Sequence, residues 1–287
     1  MHQELNRGTP ESMSRGTIKA VAIDVDGTLL DNDHRLRDPV RDALHELVAN
    51  QIQIILATAR GPQALAAVLR PLRLSPLVVC FSGAWVGEID CPSLRPKRAV
   101  LDRRHRPAVA RTIVASALDL KVEPNVFTLN TWRARQMTPE IRLESQITEC
   151  TPLLTENLLE ENNDPSKILL ITGTADSSEP LQAIAEAMQN LSNATFSKPN
   201  YLEIIPFGTN KAEALGQLIA TLGLDLSQLA AIGDGLNDLE MLREAGLGIA
   251  MGNAPAAVQS VADWVTGTND QAGVAQAVRR LFQEGFI

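Results

Sequence analysis

A recurring rhythm of short apolar runs separated by helical segments constrains this chain more than any other feature of it. IKAVAIDV, beginning at Ile18, is followed by IQIILAT (Ile52–Thr58) and LVVCF (Leu77–Phe81), and LAAIG (Leu229–Gly233) and LGIAM (Leu247–Met251) resume the theme near the C-terminus. Such runs are apolar throughout instead of alternating, as expected of strands buried on both faces, and parallel strands need long crossovers between them. The intervening segments supply those crossovers. Asp38 as N-cap and Pro39 in the first turn open a helix to about Ala49, and a second runs from Pro62 to Arg70 until Pro71 stops it. Further helices are expected at about Asn210–Leu222, Asp238–Ala245 and Gln271–Glu284, with a short last strand at Trp264 and Val265. The fold class this predicts is α/β, a doubly wound parallel sheet.

The rhythm breaks after Gly87, where CPSLRPKRAVLDRRHRP is rich in proline and arginine. Beyond it, NVFTLNTWRARQM and ATFSKPNYLEII read as strands of a smaller antiparallel sheet, with helices at about Arg106–Leu118, Pro139–Cys150 and Pro180–Leu191. An inserted α+β domain is therefore expected over residues 87–206, between the two parts of a core at 17–86 and 207–287. The polar first sixteen residues, 1–16, read as a disordered tail without a secretory h-region, and Met13 is a candidate second start.

Polar residues fall where these strands end. Asp24 and Asp26 follow the first run, Thr58 and Arg60 the second, Ser82 the third, and Asp234, Asn237 and Asp238 the fourth. In an open parallel sheet the carboxyl ends share one edge, where ligands bind, so four separate segments should converge on one site. Residues two apart on a strand face the same way, which would aim Asp24 and Asp26 into one pocket. Clustered carboxylates raise one another's pKa unless a cation lies among them, and a hard divalent ion with oxygen ligands, Mg²⁺, suits that set. Gly27 would let backbone N–H groups approach a ligand, the hydroxyls of Thr28 and Thr58 can donate to phosphate oxygens, and Lys211 brings an ammonium suited to an anionic phosphoryl group. Metal, oxyanion donors and a free carboxylate together describe phosphoryl transfer.

DVDGTL at Asp24–Leu29, ATAR at the second strand end, NK at Asn210–Lys211 and GDGLND at Gly233–Asp238 resemble, in that order, the four motifs of the haloacid dehalogenase superfamily. AMGNAP at Ala250–Pro255 and the late insertion are similar to the Cof-type branch, subclass IIB, which carries a C2-type cap between its second and third motifs. The resemblance implies a Rossmann-like catalytic core with Asp24 as nucleophile and Asp26 as general acid and base. It also implies Mg²⁺ held by Asp24, the Asp26 main-chain carbonyl and Asp234. Thr58 and Lys211 would bind the phosphoryl group, Asn237 would lie beside it, and Asp238 would orient the lysine or the metal shell. Ala59 and Ala212 stand where glycine is commoner in the family, and Ser82 replaces the usual asparagine. The implied activity is a Mg²⁺-dependent phosphatase for a small phosphomonoester, a sugar phosphate or phosphorylated cofactor, working through an aspartyl-phosphate. A phosphomutase or phosphotransferase acting on a sugar phosphate, and a catalytically silent ligand-binding member, are the alternatives.

Charge excludes other partners. With a formal net charge of −8 over 287 residues, general affinity for nucleic acid or anionic lipid is not expected. The basic residues Arg95, Lys97, Arg98, Arg103, Arg104 and Arg106 lack interleaved aromatics and read as a solvated face. His105 reads as a surface residue, and Trp132, Arg133, Arg135 and Tyr201 as packing of the small sheet. Cys80, Cys91 and Cys150 are an odd, unpatterned set, which argues against disulfides and zinc and for a cytoplasmic location. No apolar run is long enough to span a membrane, and a monomer or small homo-oligomer is expected.

Overall fold

The computed structural model describes residues 17–91, 93–161, 164–173 and 178–287. The tail and candidate start at residues 1–16 lie outside the described residues. In chain order the elements are β1 (Ala20–Asp24), α1 (Asp38–Ala49), β2 (Gln53–Ala57), α2 (Ala66–Leu72), β3 (Leu77–Cys80), β4 (Trp85–Asp90) and β5 (Arg95–Asp102). Next come α3 (Pro107–Asp119), β6 (Pro124–Phe127), β7 (Trp132–Ala134), α4 (Pro139–Thr148), β8 (Leu153–Leu154), β9 (Lys167–Ile171), α5 (Glu179–Met188), β10 (Ser192–Lys198) and β11 (Tyr201–Pro206). The chain closes with α6 (Lys211–Thr221), β12 (Leu229–Gly233), α7 (Leu239–Glu244), β13 (Leu247–Ala250), α8 (Ala256–Gln259), β14 (Trp264–Val265) and α9 (Gly273–Gln283).

The large sheet has eight strands in the order β14-β13-β12-β1-β2-β3-β4-β5, parallel from β14 to β3. Its central strands are buried on both faces, and the two-residue period sorts their side chains between two apolar layers. Val21, Ile23, Ile54, Leu56, Ala230 and Ile232 join the layer covered by α1 and α9. Ala20, Ala22, Ile55, Ala57, Leu229 and Ala231 join the one covered by α6, α7 and α8. This is the doubly wound, Rossmann-like architecture expected from the unbroken apolar runs.

A second, six-stranded sheet has the order β10-β11-β9-β6-β7-β8 and is antiparallel except for the β7–β8 pair. On one face α3 and α5 bury Ile113, Ala117, Leu181 and Ile184 against Ile168, Leu170, Leu202 and Ile204. On the other, Phe127, stacked on Trp132, reaches Phe81 of the large domain with ring centroids 6.4 Å apart, so cap and core share one apolar cluster.

Several expectations are corrected. The cap boundary expected at residue 87 moves, because β4 and β5 form an antiparallel hairpin that extends the large sheet beyond β3. The hairpin read as cap because β5 is an exposed edge strand whose arginines and Pro96 hide any apolar alternation. Helix α2 ends at Leu72, two residues beyond the expected Arg70, and contains Pro71 in its last turn, so the proline stops the helix one residue after itself and not before. Asp38 is the first helical residue of α1, and Arg37 the N-cap, without a side-chain cap bond. The two long runs read as strands of the smaller sheet form the hairpins β6–β7 and β10–β11, and β9, outside both runs, lies between them. His105 is buried: its Nε2 lies 3.1 Å from the Ile204 carbonyl, and burial lowers its pKa. The cysteines are free thiols. No helix among the described residues is long and apolar enough to cross a membrane.

The hairpin predicts where the cap can be removed. The Arg103 guanidinium donates to the Gly208 carbonyl at 2.7 Å, so the two linkers lie side by side. Replacing residues 105–206 by a short linker should leave a cooperatively melting core. Replacing residues 87–206 removes β5 and most of β4, and should lower Tm by about 10 °C or more relative to the first variant, read by circular dichroism. Equal melting of the two would show that the hairpin does not belong to the core.

Candidate active site

Strand β1 ends at Asp24, β2 immediately before Thr58, and β12 immediately before Asp234, all on one edge of the large sheet. The chain turns at Val25, so Asp26 lies just past the strand, in a bridge to Leu30. Strand alternation therefore does not carry it, yet Asp24 and Asp26 line one cleft of about 350 Å³ between core and cap. Gly27, Arg60, Asp234 and Asn237 share the core wall, and Phe127, Glu144, Lys167, Tyr201 and Glu203 the cap wall.

The innermost feature is a buried ammonium. Lys211 opens α6, whose N-cap Asn210 accepts the N–H of Glu213 at 2.7 Å. Lys211 donates to Asp24 Oδ1 at 2.5 Å and to Asp238 Oδ1 at 2.7 Å, and all three residues are buried. Asp238 Oδ2 accepts the backbone N–H groups of Asp234 (3.1 Å) and Gly235 (2.9 Å), which fixes the loop after β12. Asp234 is held by the Thr28 hydroxyl at 2.8 Å and by the Asn253 amide at 3.2 Å, and Asn253 also donates to the Gly27 carbonyl at 2.8 Å.

Asp26 has a separate environment. The Arg60 guanidinium grips it with two hydrogen bonds, at 2.8 and 2.6 Å, and His34 Nδ1 lies 3.6 Å from its Oδ1. Arg60, just past the end of β2, thus pairs with the carboxylate just past the end of β1. Thr58 is buried and its Oγ1 accepts the Arg60 N–H at 3.0 Å, which leaves its O–H available as a donor. The Thr28 hydroxyl serves Asp234 and not a phosphate. His34, Thr28 and Asn253 are the site residues that sequence reasoning missed in these roles; the AMGNAP motif was the one available signal for Asn253.

Residues 21–278 match the haloacid dehalogenase-like hydrolases. The chain belongs to that family. It is 30% identical over 267 residues to the 5-amino-6-(5-phospho-D-ribitylamino)uracil phosphatase of Bacillus subtilis, covering 91% of this chain and 95% of that one. It is also 30% identical over 236 residues to the HMP-PP phosphatase of an Enterobacter species, covering 82% of this chain and 85% of the relative. Among solved structures, a haloacid dehalogenase-like hydrolase from Bacteroides thetaiotaomicron superposes with a TM-score of 0.81 at 26% identity, over 92% of this chain and all of that one (100%).

Electrostatics separates the carboxylates of this hydrolase. Burial, reinforced by Asp238 and Asp234, pushes Asp24 well above the usual carboxylate range against the pull of Lys211. Burial alone would lower Lys211, but Asp238 and Asp24 more than reverse that and keep it charged. Asp234 is pushed up to about 6, mainly by burial and then by Asp238, despite the Thr28 hydrogen bond. For Asp26, burial is outweighed by hydrogen bonds from His34 and Arg60, which hold the carboxyl well below its ordinary value.

The donor set fits a divalent cation. Carboxylate oxygens of Asp24, Asp234 and Asp238 lie within 4.8 Å of one another. When ionised, the three leave two negative charges after Lys211 is counted. Asp238 is committed to Lys211 and two backbone N–H groups, so Asp24 and Asp234 are the side chains free to ligate. Oxygen ligands and that residual charge match Mg²⁺.

Two predictions follow from this geometry. Gly27 has φ +80° and a Cβ there would press into the Asp234 carboxylate, whereas Gly223, at φ +71°, has open space around it. Gly27→Ala should cost about 1–3 kcal/mol of stability and more than ~10-fold in turnover, whereas Gly223→Ala should cost stability alone; urea melts and phosphate release separate the two. The second concerns pH. A carboxyl whose folded pKa lies above its unfolded value contributes stability below the unfolded pKa and loses it as pH rises through the folded one. Without a divalent ion, Asp234 should therefore weaken the fold as pH rises towards and past about 6. A cation needs the ionised form, so MgCl₂ should raise Tm more at about pH 7.5 than at about pH 5. An equal shift at both would contradict the assignment.

Proposed function

We propose that this hydrolase is a Mg²⁺-dependent phosphatase that cleaves a small phosphomonoester, a sugar phosphate or phosphorylated cofactor, through an aspartyl-phosphate on Asp24. One observation carries the reading: a buried lysine anchors one oxygen of Asp24 while that residue still lines the cleft. Such a carboxylate is oriented, stripped of water, and available at its other oxygen to attack. The two phosphatase relatives support the reaction class, and the 5-amino-6-(5-phospho-D-ribitylamino)uracil named for one of them supports a small phosphorylated metabolite.

In the first half-reaction an Asp24 oxygen attacks phosphorus, the bond to the leaving oxygen breaks, and that oxygen takes a proton from Asp26. In the second, water attacks the phosphoryl group and gives its proton to Asp26 while the bond to Asp24 breaks, releasing phosphate. Bound at Asp24, Asp234 and the Asp26 main-chain carbonyl, Mg²⁺ would supply positive charge to the phosphoryl oxygens. Lys211 holds Asp24 in place and offsets charge beside it, and Asn237 on the cleft wall can donate to the transferred group. Arg60 keeps Asp26 as the carboxylate, the form that accepts a proton in the second half-reaction. A phosphoryl dianion entering beside Asp26 raises its proton affinity, which prepares it for the first.

General acid and base catalysis is worth roughly 10²–10⁴. Asp26→Ala should lose about that much with an alkyl phosphate and distinctly less with p-nitrophenyl phosphate, whose leaving group needs no proton. Asp24→Asn should abolish release of phosphate from both esters while melting cooperatively, and exhaustive chelation should do the same to the wild type. Turnover surviving in Asp24→Asn would overturn the proposed nucleophile.

A further inference from the structure

The cap wall of the cleft carries two acidic and two basic residues, Glu144, Glu203, Lys167 and Lys198. Two of them have partners on the cap: the Tyr201 hydroxyl bonds to Glu144, and the Lys198 ammonium lies 4.5 Å from the centroid of the Tyr201 ring. The other two are less well provided for. Lys167, at the start of β9, is 5% exposed and donates one hydrogen bond, to the Ala59 carbonyl at 2.8 Å. Its Nζ is 5.1 Å from the Phe127 centroid and 4.0 Å from Glu203 Oε2, beyond hydrogen-bond distance. Glu203, on β11, is 8% exposed and accepts from the Ser82 hydroxyl at a long 3.4 Å.

An ammonium has three donors and a carboxylate about four acceptor positions. Among the described residues, each of these buried charges thus keeps most of its hydrogen-bonding capacity unused, a condition that costs free energy. A ligand group that accepts from one and donates to the other relieves both. A hydroxyl does the two at once, and neighbouring hydroxyls on a carbon chain can serve an ammonium and a carboxylate side by side.

We infer that Lys167 and Glu203 bind the leaving group of the substrate and select one carrying neutral vicinal hydroxyls. This rests on the phosphatase reading of Asp24, which lines the same cleft. A second phosphate on the leaving group would gain Lys167 but meet Glu203, and an amino group would meet the reverse conflict. One fixed charge of each sign therefore disfavours net charge of either sign, while Phe127 offers the carbon chain an apolar surface.

The test compares kcat/KM of the Mg²⁺-loaded wild type for a hexitol monophosphate, a hexose bisphosphate, an amino-hexose monophosphate and n-hexyl phosphate, each relative to p-nitrophenyl phosphate. The hexitol ester should exceed the other three by about 10-fold or more. Glu203→Gln should narrow the gap to the bisphosphate, and Lys167→Met the gap to the amino ester. Each should lower the hexitol-to-p-nitrophenyl ratio by about 10–100-fold, with thermal melts confirming that the variants fold. Equal losses on both esters would mean that Lys167 acts only by holding the Ala59 loop, and would overturn the inference. The wild-type ranking decides even where a variant does not fold: hydrolysis of p-nitrophenyl phosphate without the ranking overturns the inference and leaves the phosphatase reading standing, whereas hydrolysis of no ester overturns both.

Discussion

The bridge from Lys211 to Asp24 and Asp238 is the interaction on which the rest of the structure depends. A strand end buried on both sides can carry a carboxylate only if a counter-charge reaches it, and here that charge comes from a helix 187 residues further along the chain. Removing one partner of such a buried arrangement typically costs about 3–5 kcal/mol, because the remaining charge is left uncompensated. The position of α6 is therefore not free. Its apolar face, Ala214, Leu215, Leu218 and Ile219, joins the apolar layer on this side of the large sheet, which also holds Ala20 and Ala22 of β1. The positive end of the helix also faces the carboxylates.

The convergence of Asp24, Asp26, Asp234, Asp238 and Lys211 was legible in the sequence because unbroken apolar runs imply a parallel sheet, and a parallel sheet puts its carboxyl ends together. The pairing of hydroxyls and amides was not. Thr28 and Thr58 both look like phosphate donors in a linear reading, yet the Thr28 hydroxyl donates to Asp234, 206 residues away, whereas the Thr58 oxygen accepts the Arg60 N–H and keeps its own proton free. Whether a threonine next to a motif spends its one donor inside the protein is decided by the path of the backbone. The β4–β5 hairpin was hidden for a different reason. An edge strand needs only one paired side and little apolar surface, so Arg95, Lys97 and Arg98 left no periodic signal. His105 was misplaced because its partner is the carbonyl of Ile204, a contact made only once β11 has folded alongside.

The same contrast separates the two carboxylates nearest the cleft. Asp24 shares one ammonium with other acids, whereas Asp26 has a guanidinium fork to itself. Three carboxylates around one lysine make a proton or a metal ion welcome; one carboxylate held by Arg60 and His34 resists a proton. Two residues apart in sequence, Asp24 and Asp26 thereby acquire different electrostatics from their partners alone, a difference that the proposed mechanism uses to separate attack from proton transfer.

Several ties join cap and core among the described residues, and three of them involve residues next to the cleft. Phe127 reaches Phe81, next to the Ser82 turn; Lys167 reaches the carbonyl of Ala59, next to Thr58; and Arg103 binds both Gly208 and Glu213, the latter two residues from Lys211. The Arg103 guanidinium makes a bidentate pair with Glu213, at 2.6 Å to each oxygen, so it fastens the entering linker to the leaving one and both to the first turn of α6. Asn193 of β10 adds to this by accepting the Gly208 N–H at 3.2 Å and donating to the Thr209 carbonyl at 2.7 Å. A displacement of the cap that strained these linkers would therefore be transmitted to the helix turn that carries the catalytic-site lysine. Because the first residue of α6, Lys211, holds Asp24, the cap cannot be repositioned through its linkers without loading the same helix that orients this carboxylate.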